Sequence, residues 1–202
     1  VEKDPKMCII LHNLGLNNVE IIEKDVLKVN LNKQFPPNYK VVANIPYYLT
    51  SKLIRKLLES KNRPSQITLM IQKEVAERIC NIKEKRNMLA ISVWFYAKPE
   101  IKFSVSKNSF YPVPKIDSSV IQIQPYKKLP SKQFIKNFFT IVRAGFSHPR
   151  KQLINNLSQK LEKNKNKISE WLRENNISPQ KRAEDLTIED WKKLTQSFNL
   201  LT

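Results

Sequence analysis

Between residues 41 and 58 the chain changes period without a glycine. Val41-Val42-Ala43 reads as the end of a buried strand, and Leu53, Ile54, Leu57 and Leu58 then recur at helical spacing. Thr50 or Ser51 offers an N-cap for that helix. A strand that passes this quickly into a helix points to an α/β unit, and the carboxyl end of such a strand is where open α/β sheets bind ligands. The junction, Asn44-Ile45-Pro46-Tyr47-Tyr48-Leu49, carries an amide, a proline and two tyrosines. Pro46 fixes its own φ and restricts Ile45 to an extended conformation. The Asn44 side-chain oxygen and the Ile45 carbonyl can then both accept hydrogen bonds from one planar amine, with a tyrosine ring beside them for a base to stack on. The same residues also read as an Asx-turn stiffened by proline, with the tyrosines packed locally. The residues alone leave both readings open.

The remaining chain supplies elements on both sides of this junction. Val1-Glu2 reads as a strand end. A helix with Met7, Ile10, Leu11 and Leu14 at core spacing follows, closed by Gly15, and Val19 to Ile22 makes a short strand. Ile67 to Ile71 is almost continuously apolar, as in a sheet covered on both faces. Gln72-Lys73-Glu74 leads into a helix with Val75, Ala76 and Ile79 on one side. Leu89 to Phe95 is apolar with its type left open, Ile101 to Val105 alternates as a strand does, and Val120 to Gln124 closes the sheet. From Pro125 to Pro130 a linker carries Lys127 and Lys128. Three or four short helices follow, with Phe134, Phe138, Phe139 and Val142, then Leu153, Leu157 and Leu161, then Trp171, as their apolar residues. Thr187 and Asp190 form a capping box for a last helix that buries Trp191, Leu194 and Phe198. This predicts an α/β domain over residues 1–125 and a small all-helical domain over residues 126–202.

A formal charge of +18 on 202 residues implies a polyanionic partner. Arg143, Phe146, His148, Arg150 and Lys151 make a basic end to the first of the late helices, suited to RNA, which is read mainly through shape and phosphates. Cys8 and Cys80 sit in apolar surroundings without a near partner in sequence and read as buried thiols. His12 and His148, the only histidines, are too few for a His-based metal site, and none is expected. No apolar run approaches membrane-spanning length, and no signal peptide is expected.

Asn44-Ile45-Pro46-Tyr47 resembles the catalytic motif of S-adenosylmethionine-dependent adenine-N6 methyltransferases. Its setting resembles one family across nearly the whole chain, the dimethyladenosine transferases of small-subunit ribosomal RNA (the KsgA/RsmA group). Gln72 to Ile79 is similar to that family's helix start, and Phe103-Ser104-Val105 followed by Phe110 to Val120 to its signature late in the catalytic domain. Val142 to Ser147 with Arg150-Lys151 resembles the opening of its helical domain, and Arg182 to Leu186 its final segment. The resemblance implies a Rossmann-like class I methyltransferase domain followed by the helical RNA-binding domain, acting as a cytoplasmic monomer, with an organellar member not excluded. The substrate implied is two adjacent adenosines near the 3′ end of small-subunit ribosomal RNA in the pre-30S particle. By resemblance Asn44, Ile45, Pro46 and Tyr47 are catalytic, Tyr47 and Phe110 cover the two faces of the target base, and Glu2, Asp25, Val26 and Asn44 bind S-adenosylmethionine. Arg143, Arg150, Lys151, Lys127 and Lys128 hold RNA.

Two departures from the family pattern set further expectations. Gly15 and Gly145 are the only glycines, so the glycine-rich cofactor turn and the strand before it are absent. The chain by itself is therefore expected to bind S-adenosylmethionine poorly and to transfer methyl groups only with upstream residues. Where relatives have a glycine-containing turn, residues 83–87 read Lys-Glu-Lys-Arg-Asn, which leaves the path of that loop open. A non-catalytic RNA-binding assembly factor, a large-subunit rRNA methyltransferase and a DNA adenine methyltransferase are the alternatives.

Overall fold

In the computed structural model, which describes residues 1–81 and 85–201, four strands form one mixed sheet. They are β1 (Lys40–Asn44), β2 (Gln66–Gln72), β3 (Ala97–Val105) and β4 (Ser118–Pro125), in the spatial order β1-β2-β4-β3. β1 runs parallel to β2, because the helix α3 (Thr50–Glu59) carries the chain back between them, while β4 lies antiparallel to both β2 and β3. Ile67, Leu69 and Ile71 of β2 and Ile121 and Ile123 of β4 share one face and are fully buried. The opposite face, with Thr68, Met70 and Val120, stays half exposed. The sheet is thus covered fully on one face rather than on both, and β2 gets its apolar run from an inner position between two strands.

β1 lies at the edge of this sheet, pairing only with β2 among the described residues. Its burial alternates between exposed and half-buried, and Val42 is 80% exposed, so the expected buried strand is at most half-buried. The preceding segment departs from expectation for the same reason. Instead of a strand at Val19 to Ile22 there is one parallel bridge, Glu2 to Glu23, made by Glu2 N donating to Ile22 O and Lys24 N to Glu2 O. A ladder needs a second extended neighbour, and Glu2 alone offers one rung. Helix α1 (Pro5–Asn13) forms, capped by Asp4 and closed by Gly15 at φ 62°, yet it buries only Cys8. Met7, Ile10 and Leu14 are exposed because no element packs over them among the described residues.

The short α2 (Leu31–Gln34) precedes β1, and α4 (Lys73–Cys80) follows β2 directly. Cys80 is half-buried, and burial together with nearby Glu100 pushes its thiol up to about 11. The ambiguous segment is helix α5 (Met88–Tyr96), buried on nearly every side where it meets α3, α4 and β3. Burial all round erases the amphipathic period by which a helix is recognised. Lys83 and Glu84 lie outside the described residues. Lys85 pairs with Glu184 at 2.8 Å, and Asn87 caps α5 through Ala90 N. Thr50 is buried and α3 starts without a side-chain cap, since a 3₁₀ turn over Tyr47–Leu49 leads into it instead.

Beyond the sheet, α6 (Lys132–Gly145), α7 (Leu153–Leu161), α8 (Lys165–Glu174) and α9 (Ile188–Gln196) pack together, α9 starting with the capping box of Thr187 and Asp190. Aromatic rings join these helices to α5, Phe95 lying 4.1 Å from Phe138 and Tyr96 stacking on Phe139 at 5.5 Å between centroids. Gly145 closes α6 against the fully buried Trp191. A Cβ at that position would overlap the indole ring and crowd Leu153 Cδ1 at 3.2 Å. Gly145→Ala is therefore expected to cost about 1–3 kcal/mol of stability, read as a lower urea midpoint at unchanged slope.

Candidate active site

Asn44 ends β1 beside Met70, at the carboxyl end of the parallel pair, and the next three residues turn the chain into α3. Pro46 sits at φ −55° and ψ 134°, and its carbonyl accepts from Leu49 N at 2.9 Å to close the turn. Ile45 is buried and anchors the segment in the core, whereas Asn44 and Pro46 are exposed. The Asn44 side chain takes no protein partner among the described residues, so the Asx-turn reading does not hold and the amide is free to engage a ligand. The tyrosines diverge. Tyr48 points out at 76% exposure, while the Tyr47 hydroxyl is 3.0 Å from Ser118 Oγ.

Two cavities meet at this turn. The first, about 890 Å³, is lined by Glu2, Asp25, Val26 and the Asn44-Ile45-Pro46 backbone, over a floor that includes Phe35, Tyr39 and Leu57. The Phe35 and Tyr39 rings stack at 5.0 Å, and burial pushes the Tyr39 phenol above its ordinary range. Glu2 Oε1 accepts from Lys3 N at 2.6 Å and Asp4 N at 2.8 Å, and Asp25 Oδ1 accepts from Leu27 N at 2.8 Å. Each carboxylate is thus steadied by backbone through one oxygen while its second oxygen remains. The exposed edge of β1, with Val41, Val42 and Ala43, forms part of the same wall.

The second cavity, about 390 Å³, is lined by Asn44, Ile45, Pro46 and Tyr47 on one side and by Phe110, Tyr111, Pro112 and Pro114 on the other, with Met70 at its base. Phe110 is half-buried here and lines the same cavity as Tyr47. Sequence reasoning passed over Ser118 and Asp117. Asp117 Oδ1 accepts from Lys107 N at 3.0 Å, and Ser118 is 1% exposed. The available signal was a serine pair opening a strand whose later residues alternate isoleucine and glutamine, since a buried hydroxyl needs a partner.

The basic residues divide into two groups. Arg143 near the end of α6 and Arg150 and Lys151 in the following turn lie close in the chain and are all exposed. Lys127 and Lys128 lie in the segment before the other end of the same 14-residue helix, whose axis is about 20 Å long. Arg55, Arg63 and Arg143 all lie near enough to Tyr96 for their charges to act on its phenol. Burial and then Glu59 raise the Tyr96 phenol to about 12, against the charges of Arg63, Arg55 and Arg143. The turn after α6 is held from inside by Asn156, fully buried, whose Nδ2 donates to Gly145 O at 2.7 Å and His148 O at 3.0 Å. Among the described residues no cluster of metal-binding side chains occurs, and no helix is long and apolar enough to cross a membrane.

The family profile described as Ribosomal RNA adenine dimethylase matches residues 1–200. A protein named Ribosomal RNA small subunit methyltransferase A from Fusobacterium nucleatum is 40% identical over 201 residues, covering 98% of this chain and 76% of its own. One of the same name from Mycoplasma capricolum is 38% identical over 210 residues, covering 100% and 77%. Among solved structures, a dimethyladenosine transferase from Plasmodium falciparum superposes with a TM-score of 0.73 at 26% identity, over 98% of this chain and 80% of its own. The 23S rRNA methyltransferase ErmE shares the fold, with a TM-score of 0.76 at 21% identity over the same shares of the two chains.

Because Asn44 is exposed and unpartnered, Asn44→Ala should leave the unfolding free energy within about 0.5 kcal/mol of the parent, measured by urea denaturation.

Proposed function

As the chain belongs to the ribosomal RNA adenine dimethylase family, we propose that it methylates N6 of two adjacent adenosines near the 3′ end of small-subunit ribosomal RNA, in the pre-30S particle. The observation that carries this reading is that Asn44, Ile45 and Pro46 line both cavities, so a donor in one and a base in the other would meet across a single turn.

The first cavity fits the adenosyl group of S-adenosylmethionine by the chemistry of its donors. The free carboxylate oxygen of Glu2 suits a ribose diol, that of Asp25 suits an adenine amine, and Val26 with the apolar floor suits the ring. S-adenosylmethionine, when bound, supplies an electrophilic methyl sulfonium. Adenine N6 is a poor nucleophile because its lone pair is delocalised into the ring. The Asn44 oxygen and the Ile45 carbonyl would accept from that amine, fixing its orientation and favouring positive charge on nitrogen. Tyr47 and Phe110 would hold the base flat, which a loop nucleotide reaches at least cost because it has little stacking to lose. The exposed edge of β1 beside the first cavity is suited to pair with one further extended segment, and we read that segment as the completion of the cofactor wall.

Residues 1–125 form the transfer domain in this reading, and residues 126–202 the RNA-binding domain. The protein acts as a cytoplasmic monomer, with Arg143, Arg150 and Lys151 on RNA phosphates and Lys127 and Lys128 forming a second contact one helix away.

Methyl transfer from labelled S-adenosylmethionine to under-methylated small subunits tests the assignment, with this chain alone and with its complete gene product. Dimethyladenosine formed by the complete product, and cut at least a hundredfold by Asn44→Ala at unchanged subunit affinity, is the expected result. Subunits bound without transfer would leave an assembly factor, and preference for duplex DNA would leave a DNA methyltransferase. Arg150→Ala and Lys151→Ala should each reduce the slope of log affinity against log salt by about 1.

A further inference from the structure

Tyr47 reaches the base cavity from an exposed turn, and a ring in such a place would rotate freely about χ1 unless something held it. One side-chain hydrogen bond does so among the described residues, between the Tyr47 hydroxyl and Ser118 Oγ at 3.0 Å. Ser118 opens β4, is 1% exposed, and is fixed by backbone pairing to Gln72 on one side and Val105 on the other. It is therefore a rigid post, and the tyrosine is the part that is held.

The opposite wall is tied to the neighbouring residue. Asp117 Oδ1 accepts from Lys107 N at 3.0 Å, and Lys107 O in turn accepts from Phe110 N at 3.2 Å. The Asp117 carbonyl accepts from Lys73 N at the start of α4, which fixes Asp117 to the sheet end. Two consecutive residues, Asp117 just before β4 and Ser118 at its start, thus hold the Phe110 loop and the Tyr47 ring that line the same cavity. A stack between two rings needs both planes set, and a ring ordered in advance does not lose rotamer freedom when the base arrives.

We propose that Ser118 is a positioning residue for methyl transfer, holding the Tyr47 ring in its base-stacking plane while Asp117 holds the loop of Phe110. The inference rests on the reading of Tyr47 as a stacking residue. Ser118 touches neither base nor cofactor and acts only through the tyrosine.

The test uses a small-subunit rRNA hairpin with 2-aminopurine at the target adenine. Its fluorescence reports stacking of that base, and anisotropy of a terminal dye on the same RNA reports total binding. Ser118→Ala should weaken the stacking equilibrium about three- to tenfold, the range for loss of one hydrogen bond, while total affinity stays within about twofold. Tyr47→Phe removes the same bond from the exposed side, where folding is not at risk, and should give the same loss. The double variant should fall no further, because both changes delete one interaction. An unchanged stacking signal in Ser118→Ala and Tyr47→Phe, or losses that add in the double variant, would overturn the positioning role. Should Ser118→Ala not fold, Tyr47→Phe decides the outcome alone. Tyr47→Ala separates the two layers. If it keeps the stacking signal, or if the parent protein gives none, the stacking reading fails and this inference fails with it. If it loses the signal while Tyr47→Phe keeps it, only the role of Ser118 fails.

Discussion

The register of β2 in the sheet governs the rest of the structure. β2 sets Met70 beside Asn44 on its parallel edge and Gln72 beside Ser118 on its antiparallel edge. A slip of one residue between β2 and β4 would turn Ser118 away from Tyr47 and exchange Ile121 for Gln122 on the buried face. The apolar pattern forbids that slip, since Ile67, Leu69, Ile71, Ile121 and Ile123 are all fully buried on one face. Burying five branched side chains at roughly 1.5–3 kcal/mol each outweighs any local preference at the mouth. The core thereby fixes the frame of the site, on which bonds such as Tyr47–Ser118 and Lys107–Asp117 set the remaining groups.

The core is also continuous into the late helices. Phe95 and Tyr96 of α5 meet Phe138 and Phe139 of α6, so the helices that carry the basic turn are seated on the same helix that backs the sheet. Farther out, Gly145 lets α6 approach Trp191, and Asn156 pins the turn that presents Arg150 and Lys151. A buried amide donating to two carbonyls orders a charged loop from within, which leaves its cations free for a polyanion.

Legibility in the sequence followed how local each feature is. The Asn44 to Tyr47 turn, the Gly15 helix stop and the Thr187–Asp190 capping box each depend on a few adjacent residues, and each appears where the sequence placed it. The α5 segment was ambiguous because burial on all sides removes periodicity, and Met7, Ile10 and Leu14 misled because helical spacing states which face is apolar, not whether another element covers it. The same limit explains Val42, apolar by sequence and exposed at the edge of the sheet.

By itself the sequence determined the family, the residue types of the Asn44 to Tyr47 turn and the basic character of the turn after α6, since these reside in residue types at short spacing. Only the tertiary structure decided that Asn44 to Pro46 line two cavities at once, that Phe110 shares one of them with Tyr47, and that Ser118 reaches Tyr47 from 71 positions along the chain. The physical reason is that such juxtapositions come from packing strands and helices over a shared apolar face, and packing depends on the whole chain at once.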